Sequence, residues 1–328
     1  MEKISEYKVL ARKYRPKRFK DLVGQNILVQ ILSNAITNDR LAHAYVLTGV
    51  RGVGKTTTAR LIAMSINCNN RLKNSAEPCG DCESCNSTGL DNNLDVIEMD
   101  AASNTGVDDV REIIDNVKYK PLIGKYKIFI IDEVHMLSRS AFNALLKTLE
   151  EPPEHVKFIF ATTEVKKIPI TVLSRCQRFD LKRVSLSEIS KHLKEICTIE
   201  KGKITEQALN IISRASEGSV RDAVSLLDRT LIHQSLKPDQ SIDAKEVRGM
   251  LGLVDKSKLI NLLGFVFKGD QKNTLKFFKE IFDDGLDGKL FLNDILEIIY
   301  LLSRRINLGP IEKDLFLSEN EVELIEKN

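Results

Sequence analysis

The sequence contains no run of roughly 18 apolar residues, so no membrane-spanning helix is expected. Its opening residues, Met1-Glu2-Lys3-Ile4-Ser5-Glu6, carry no apolar core of the signal-peptide kind, and the expected location is the cytoplasm. A strong charge of either sign is also missing. Net charge is +3 over 328 residues, which excludes a strong whole-chain pull on nucleic acid. No internal repeat or low-complexity tract stands out. Cysteines are few, six in all, and four of them cluster. In a reducing compartment such a cluster reads as metal ligands or redox groups more readily than as disulfides.

What remains is the composition of a globular protein, 42% hydrophobic and 29% charged, at a length that suits two or three domains. Charge is uneven along the chain. Residues 1–20 hold eight Lys/Arg against Glu2 and Glu6. That stretch reads either as a phosphate-meeting surface or as a solvated basic arm.

The first half alternates short apolar runs with helical patterns, which predicts a parallel sheet covered by helices. Expected strands are Ala44–Thr48, Asp95–Met99, Lys127–Ile131 and Lys157–Thr162. Expected helices include one opening near Lys55 and others at Val107–Val117 and Ser140–Glu150, the last stopped by Glu151-Pro152-Pro153. After about residue 180 the pattern turns helical, at 187–200, 205–216 and 219–235, with Ser185 or Ser187 as a cap and Gly202 and Gly218 as punctuation. From about 243 it is helical again, with apolar runs at Leu259–Phe267 and Leu290–Leu302. The expectation is an α/β nucleotide domain over 1–180, a helical lid over 181–242 and a second helical domain over 243–328. The ending Ile325-Glu326-Lys327-Asn328 reads as an interrupted helix, hence an expected fragment.

Gly49-Val50-Arg51-Gly52-Val53-Gly54-Lys55-Thr56 fits the G-x-x-x-x-G-K-[ST] loop, between an expected strand and an expected helix. Glycines let backbone N–H groups curl around phosphates, and the helix N-terminus favours negative charge. Lys55 is expected to reach the β/γ-phosphates and the Thr56 hydroxyl to ligate Mg²⁺, with Thr57 beside it. Ile128-Phe129-Ile130-Ile131-Asp132-Glu133 then ends a buried strand with two carboxylates. Asp132 is placed to hold Mg²⁺ through water and Glu133 to polarise an attacking water. The cofactors expected at this site are ATP and Mg²⁺.

Cys68, Cys79, Cys82 and Cys85 form C-x10-C-x2-C-x2-C. Four thiolates suit a closed, structural Zn²⁺ site. An iron–sulfur cluster and a redox dithiol at Cys79/Cys82 are the alternatives. Cys176 and Cys197 have no such pattern and read as small buried hydrophobes.

Asp132-Glu133-Val134-His135, Ala161-Thr162-Thr163, Ser174-Arg175-Cys176 and Gly218-Ser219-Val220-Arg221-Asp222-Ala223, in that order and spacing, resemble AAA+ ATPases. With Tyr14-Arg15-Pro16, Gly24-Gln25, His43-Ala44-Tyr45 and Ile168-Pro169, the chain resembles the bacterial gamma/tau clamp-loader family, densely over residues 7–230. The resemblance implies an AAA+ P-loop domain with a zinc module at about 68–90, a lid and a collar-like domain. It implies Thr163 as sensor 1, although alone this would be an ordinary strand threonine. It implies Arg175 as an arginine finger acting on a neighbouring subunit's ATP, and Arg221 as the lid arginine that meets the γ-phosphate. Tyr14, Arg15 and Pro16, with Arg12, would lie near the adenine. The implied partners are other gamma/tau copies, delta and delta-prime in a hetero-oligomeric ring, a sliding clamp and primed DNA. A branch-migration or helicase-loading motor, and a silent ring subunit, are the competing functions.

Overall fold

The computed structural model describes residues 7–235, 240–252, 256–283 and 288–309. They divide between two compact units, one within Met1–His192 and Ser216–Ser225, the other within Leu193–Ala215 and Leu226–Asn328. The chain end read above as an interrupted helix lies outside the described residues.

In the first unit, five strands form one sheet: β1 (Ala44–Thr48), β2 (Val96–Asp100), β3 (Lys127–Asp132), β4 (Val156–Thr162) and β5 (Gln177–Asp180). The order is β2-β3-β4-β1-β5 and every pairing is parallel. β1, an interior strand between β4 and β5, is buried along its whole length, which is why it reads as a continuous apolar run. Its side chains alternate between faces. Tyr45 and Leu47 join one core with Leu28, Leu32 and Ile36 of α2 (Asn26–Thr37) and Leu61 and Ile62 of α3 (Lys55–Ile66). Ala44 and Val46 join the other with Val110 and Ile113 of α5 (Val107–Val117) and Phe142 and Leu145 of α6 (Arg139–Glu150). On that second face Phe158 stacks against Phe129 and Phe160, with ring centres 5.4 and 5.9 Å apart.

The short elements α1 (Leu10–Lys13), α4 (Glu83–Gly89) and α7 (Ile170–Leu173) complete this unit. The Glu77 carboxylate, between the first two cysteines, accepts the N–H groups of Phe19 and Lys20 and ties the two segments together. Gln25 is buried and pinned at both ends of its amide, donating to the Lys182 carbonyl (2.8 Å) and accepting its N–H (3.2 Å).

Two differences from the sequence expectation concern the sheet. β5 was not among the expected strands, because Gln177-Arg178-Phe179-Asp180 is polar and buries only Phe179 at an edge. Asp95 was expected inside β2 but precedes it. It is 1% exposed, and its carboxylate accepts the N–H groups of Leu122, Ile123 and Gly124 at 2.6–2.7 Å. A buried carboxylate with three donors organises the loop before β3 rather than extending a strand.

α8 (Leu186–Ile199) opens with a reciprocal cap: Glu188 N–H donates to Ser185 Oγ, and Ser185 N–H to the Glu188 carboxylate. Of the two expected caps, Ser185 is thus the one used. α9 (Glu206–Ala215) and α10 (Val220–Gln234) follow. α11 (Ala244–Leu251) carries a second such box between Asp243 and Glu246 and packs on α9 in the second unit. α12 (Lys256–Phe267), α13 (Gln271–Asp283) and α14 (Gly288–Leu308) share a core of Leu259, Leu263, Ile281, Phe291, Ile298 and Leu301.

Candidate nucleotide site and cysteine module

β1, β4 and β3 are adjacent and parallel, so their C-terminal ends bring three loops together. That end of an open parallel sheet is where ligands bind. β1 leads into the glycine-rich loop. Gly54 is the N-cap of α3 with φ +102°, a left-handed conformation that side chains rarely adopt. Gly52 has φ +78°, and a Cβ there would collide with the Ser219 hydroxyl. The Arg221 N–H donates to the Gly52 carbonyl at 3.2 Å, and Val184 N–H to the Gly218 carbonyl at 3.2 Å. These bonds hold the segment bearing Arg221 against the loop.

Lys55, the first residue of α3, is buried, and its ammonium donates to the carbonyls of Gly49 (3.0 Å) and Val50 (3.1 Å). Burial lowers its pKa, and the nearby Glu133 and Asp132 oppose the shift. The Thr56 hydroxyl donates to Asp132 Oδ2 at 2.6 Å. Asp132 Oδ1 accepts the Glu133 N–H at 2.9 Å. Glu133 itself has φ +45°, an uncommon conformation for a non-glycine residue. Its Oε2 accepts both the N–H (3.1 Å) and the hydroxyl (3.0 Å) of Thr163, just past β4.

Thr56, Asp132, Glu133 and Thr163 therefore form one chain of hydrogen bonds, with the Lys55 ammonium close enough to feel both carboxylates. His135, to which the sequence pattern assigned no role, adjoins it. Its buried ring lies 3.4 Å from Glu133 Oε2 and 3.5 Å from Glu164, and Nδ1 is 3.0 Å from Thr162 Oγ1. The available signal was its place three residues after Asp132, which says nothing of what its ring touches.

Arg175, just beyond α7, is bound elsewhere. It donates to the Thr171 carbonyl and to Glu150 Oε1 at the end of α6, each at 2.6 Å. At the N-terminal side, Tyr14 caps α1 and the Lys13 ammonium lies 5.6 Å from its ring centre. Arg12 and Arg15 are exposed and Pro16 is half-buried. The charges acting on Arg15 are Arg60, Asp91, Glu98 and Arg221. Arg60, on α3, binds both Glu98 oxygens (2.7 and 2.8 Å) and also pairs with Asp91.

The four cysteine sulfurs all lie within 4.8 Å of one another. Cys79–Cys85 and Cys68–Cys82 are 3.9 and 4.0 Å apart, too long for disulfides. They match the edge of a tetrahedron of metal–sulfur bonds, about 3.8 Å for bonds of about 2.3 Å. The hole suits one ion and leaves no room for a polynuclear iron–sulfur core. The Cys79 N–H donates to Cys68 Sγ and the Cys82 N–H to Cys79 Sγ, both at 3.3 Å. Burial raises the Cys68 and Cys85 thiols, whereas at Cys82 donated backbone N–H groups overcome burial and bring the thiol down to about 7. Cys176, pushed up to about 12 by burial, and the buried Cys197 stand apart from the cluster.

The parallel sheet, the phosphate loop and the paired carboxylates define a P-loop protein of the AAA+ fold. Among solved structures, the Thermotoga maritima RuvB Holliday junction branch migration motor shares this fold at a TM-score of 0.54 and 16% identity, covering 95% of this chain and 98% of that one. Sequence likeness is more specific. The family described as DNA polymerase III, delta subunit matches residues 24–185; the DNA polymerase III clamp loader subunit ATPase lid domain matches 188–234; and DNA polymerase III subunits gamma and tau domain III matches 242–327. DNA polymerase III subunit gamma of Buchnera aphidicola (subsp. Acyrthosiphon pisum) is 41% identical over 98% of this chain and 88% of its own length. Subunit tau/gamma of Haemophilus influenzae is 44% identical over 90% of this chain, and subunit tau of Escherichia coli 41% identical over 93%. The chain spans only 42% and 46% of those two longer relatives. It belongs to the DNA polymerase III gamma/tau family.

Proposed function

We infer that this chain is an ATPase subunit of the DNA polymerase III clamp loader, coupling ATP binding and hydrolysis to the loading of a sliding clamp on primed DNA. The observation that carries the reading is the hydrogen-bonded cluster from Thr56 through Asp132 and Glu133 to Thr163 at the ends of three adjacent strands, in a member of this family. The loop N–H groups and Lys55 would bind the phosphates, and Thr56 and Asp132 would hold Mg²⁺, which supplies positive charge at the phosphate oxygens. Glu133, aimed by Thr163 and His135, would polarise the attacking water. Arg175, turned away from its own chain's cluster, would serve ATP bound to a neighbour, and Arg221 would tie the lid to the γ-phosphate. Tyr14, Arg15 and Pro16, with Arg12, would border the adenine.

The cysteine module would hold a structural Zn²⁺. The partners are further gamma/tau copies, delta and delta-prime, with DNA contacted through its phosphate backbone. The setting is cytoplasmic; among the described residues no helix is long and apolar enough to cross a membrane.

The test is ATP hydrolysis by the chain alone and with delta, delta-prime, the sliding clamp and primed DNA. Strong stimulation in the complete mixture, abolished by Lys55→Ala, is expected. Hydrolysis indifferent to clamp and partners would instead indicate a DNA motor, and full activity in Lys55→Ala would refute the ATPase assignment.

A further inference from the structure

The arginine outside the cluster has a carboxylate of its own. Arg175 Nη2 donates to Glu150 Oε1, and Nη1 to the Thr171 carbonyl, both at 2.6 Å. Nη1 also reaches the Ser174 hydroxyl at 3.4 Å. Bonds to both terminal nitrogens fix the plane of the guanidinium as well as its position, because the group is rigid and its donors form a planar fork. With Nη1 engaged twice and Nη2 once, the Nε–H and the second Nη2–H are left over, and the side chain is about one-third exposed.

The backbone makes Glu150 a firm anchor. It is the last residue of α6, whose other face is held in the core by Leu145 and Leu149, and Pro152 and Pro153 prevent the helix from continuing. An ion pair this exposed adds little to stability. A short surface bond to a separate element, beside a second one to Arg175's own preceding turn, is thus better explained by what it orients.

We propose that Glu150 is the positioning residue for Arg175: it presets the guanidinium on the surface in the orientation that meets a nucleotide bound by a neighbouring subunit. The role is orientational. A finger free to rotate would lose part of the transition-state contact while ground-state nucleotide binding stayed the same. This rests on the reading of Arg175 as acting in trans, and the experiment separates the two.

The measurement is steady-state ATP hydrolysis by the complete assembly with clamp and primed DNA, together with nucleotide affinity. Arg175→Ala should lower kcat on the order of 10³-fold. Glu150→Ala should lower kcat roughly tenfold with KM for ATP within about twofold. Glu150→Gln, which keeps an acceptor oxygen, should recover most of the rate. In the Arg175→Ala background, Glu150→Ala should do nothing further. A wild-type or raised rate in Glu150→Ala, or an effect additive with Arg175→Ala, would overturn the positioning role while leaving the finger intact. An unchanged rate in Arg175→Ala would overturn the finger itself. If alanine at 150 impairs assembly, Glu150→Asp is the substitute: its carboxylate falls one methylene short, and a rate within threefold of wild type counts against the proposal.

Discussion

The nucleotide cluster and the cysteine module sit at opposite ends of the same helix, α3, and they are built in opposite ways. At its N-terminus the loop is held by the protein's own bonds: left-handed glycines, the Gly52–Arg221 backbone bond, and a chain of hydrogen bonds from Thr56 to Thr163. Just past its C-terminus, four thiols are gathered within 4.8 Å by a few weak backbone N–H···S bonds, with no covalent link between them. A preformed polar network retains its shape because each group has a partner. Four clustered thiolates repel one another, and it is a cation that would make their arrangement favourable. One end of the helix is thus organised by the sheet and the other by a metal-shaped donor set.

This contrast can be broken or sharpened experimentally. The largest effect is expected at the nucleotide end. Glu133→Gln, nearly isosteric and still able to accept from Thr163, should lower hydrolysis by about 10²–10⁴-fold, the range for removal of a positioned base, while ATP still binds. Loss of binding to the same degree would mean that Glu133 holds the loop together rather than acting on water.

At the other end, removing the metal with a chelator, or Cys82→Ser, should release a single zinc ion and lower stability by about 4 kcal/mol or more, read as a fall in Tm. Isolated ATP affinity should fall less than stability does. An unchanged Tm after complete metal loss would show that the cysteine end is as self-supporting as the phosphate loop.

The smallest effect probes a region outside both. Asp95→Ala leaves three loop N–H groups without their acceptor and should cost about 2–3 kcal/mol in denaturant unfolding, with zinc content and ATP affinity unaltered. A loss of ATP affinity would instead couple the loop before β3 to the carboxylates at that strand's far end.

The limits of linear reading follow from the same particulars. β1, β3 and β4 were legible because strands buried on both faces must be apolar throughout. β5 was not, since an edge strand is exempt from that demand. Asp95 looked like a strand residue because its neighbours are; its three donors come from 27 to 29 residues further on. His135 and Glu150 carried no signal of their own, one being a histidine after two acids, the other a helix-end glutamate before prolines.

By itself the sequence determined the phosphate loop, the acidic strand end and the thiol set, because each is a local device whose chemistry depends on spacing along the chain. The tertiary structure decided which carboxylate accepts from which hydroxyl, that His135 joins Glu133, and that Arg175 leans on Glu150 instead of its own nucleotide site. Those pairings depend on strand order and on where a helix ends, and both are settled by how the faces of the sheet are covered, which no short stretch of residues encodes.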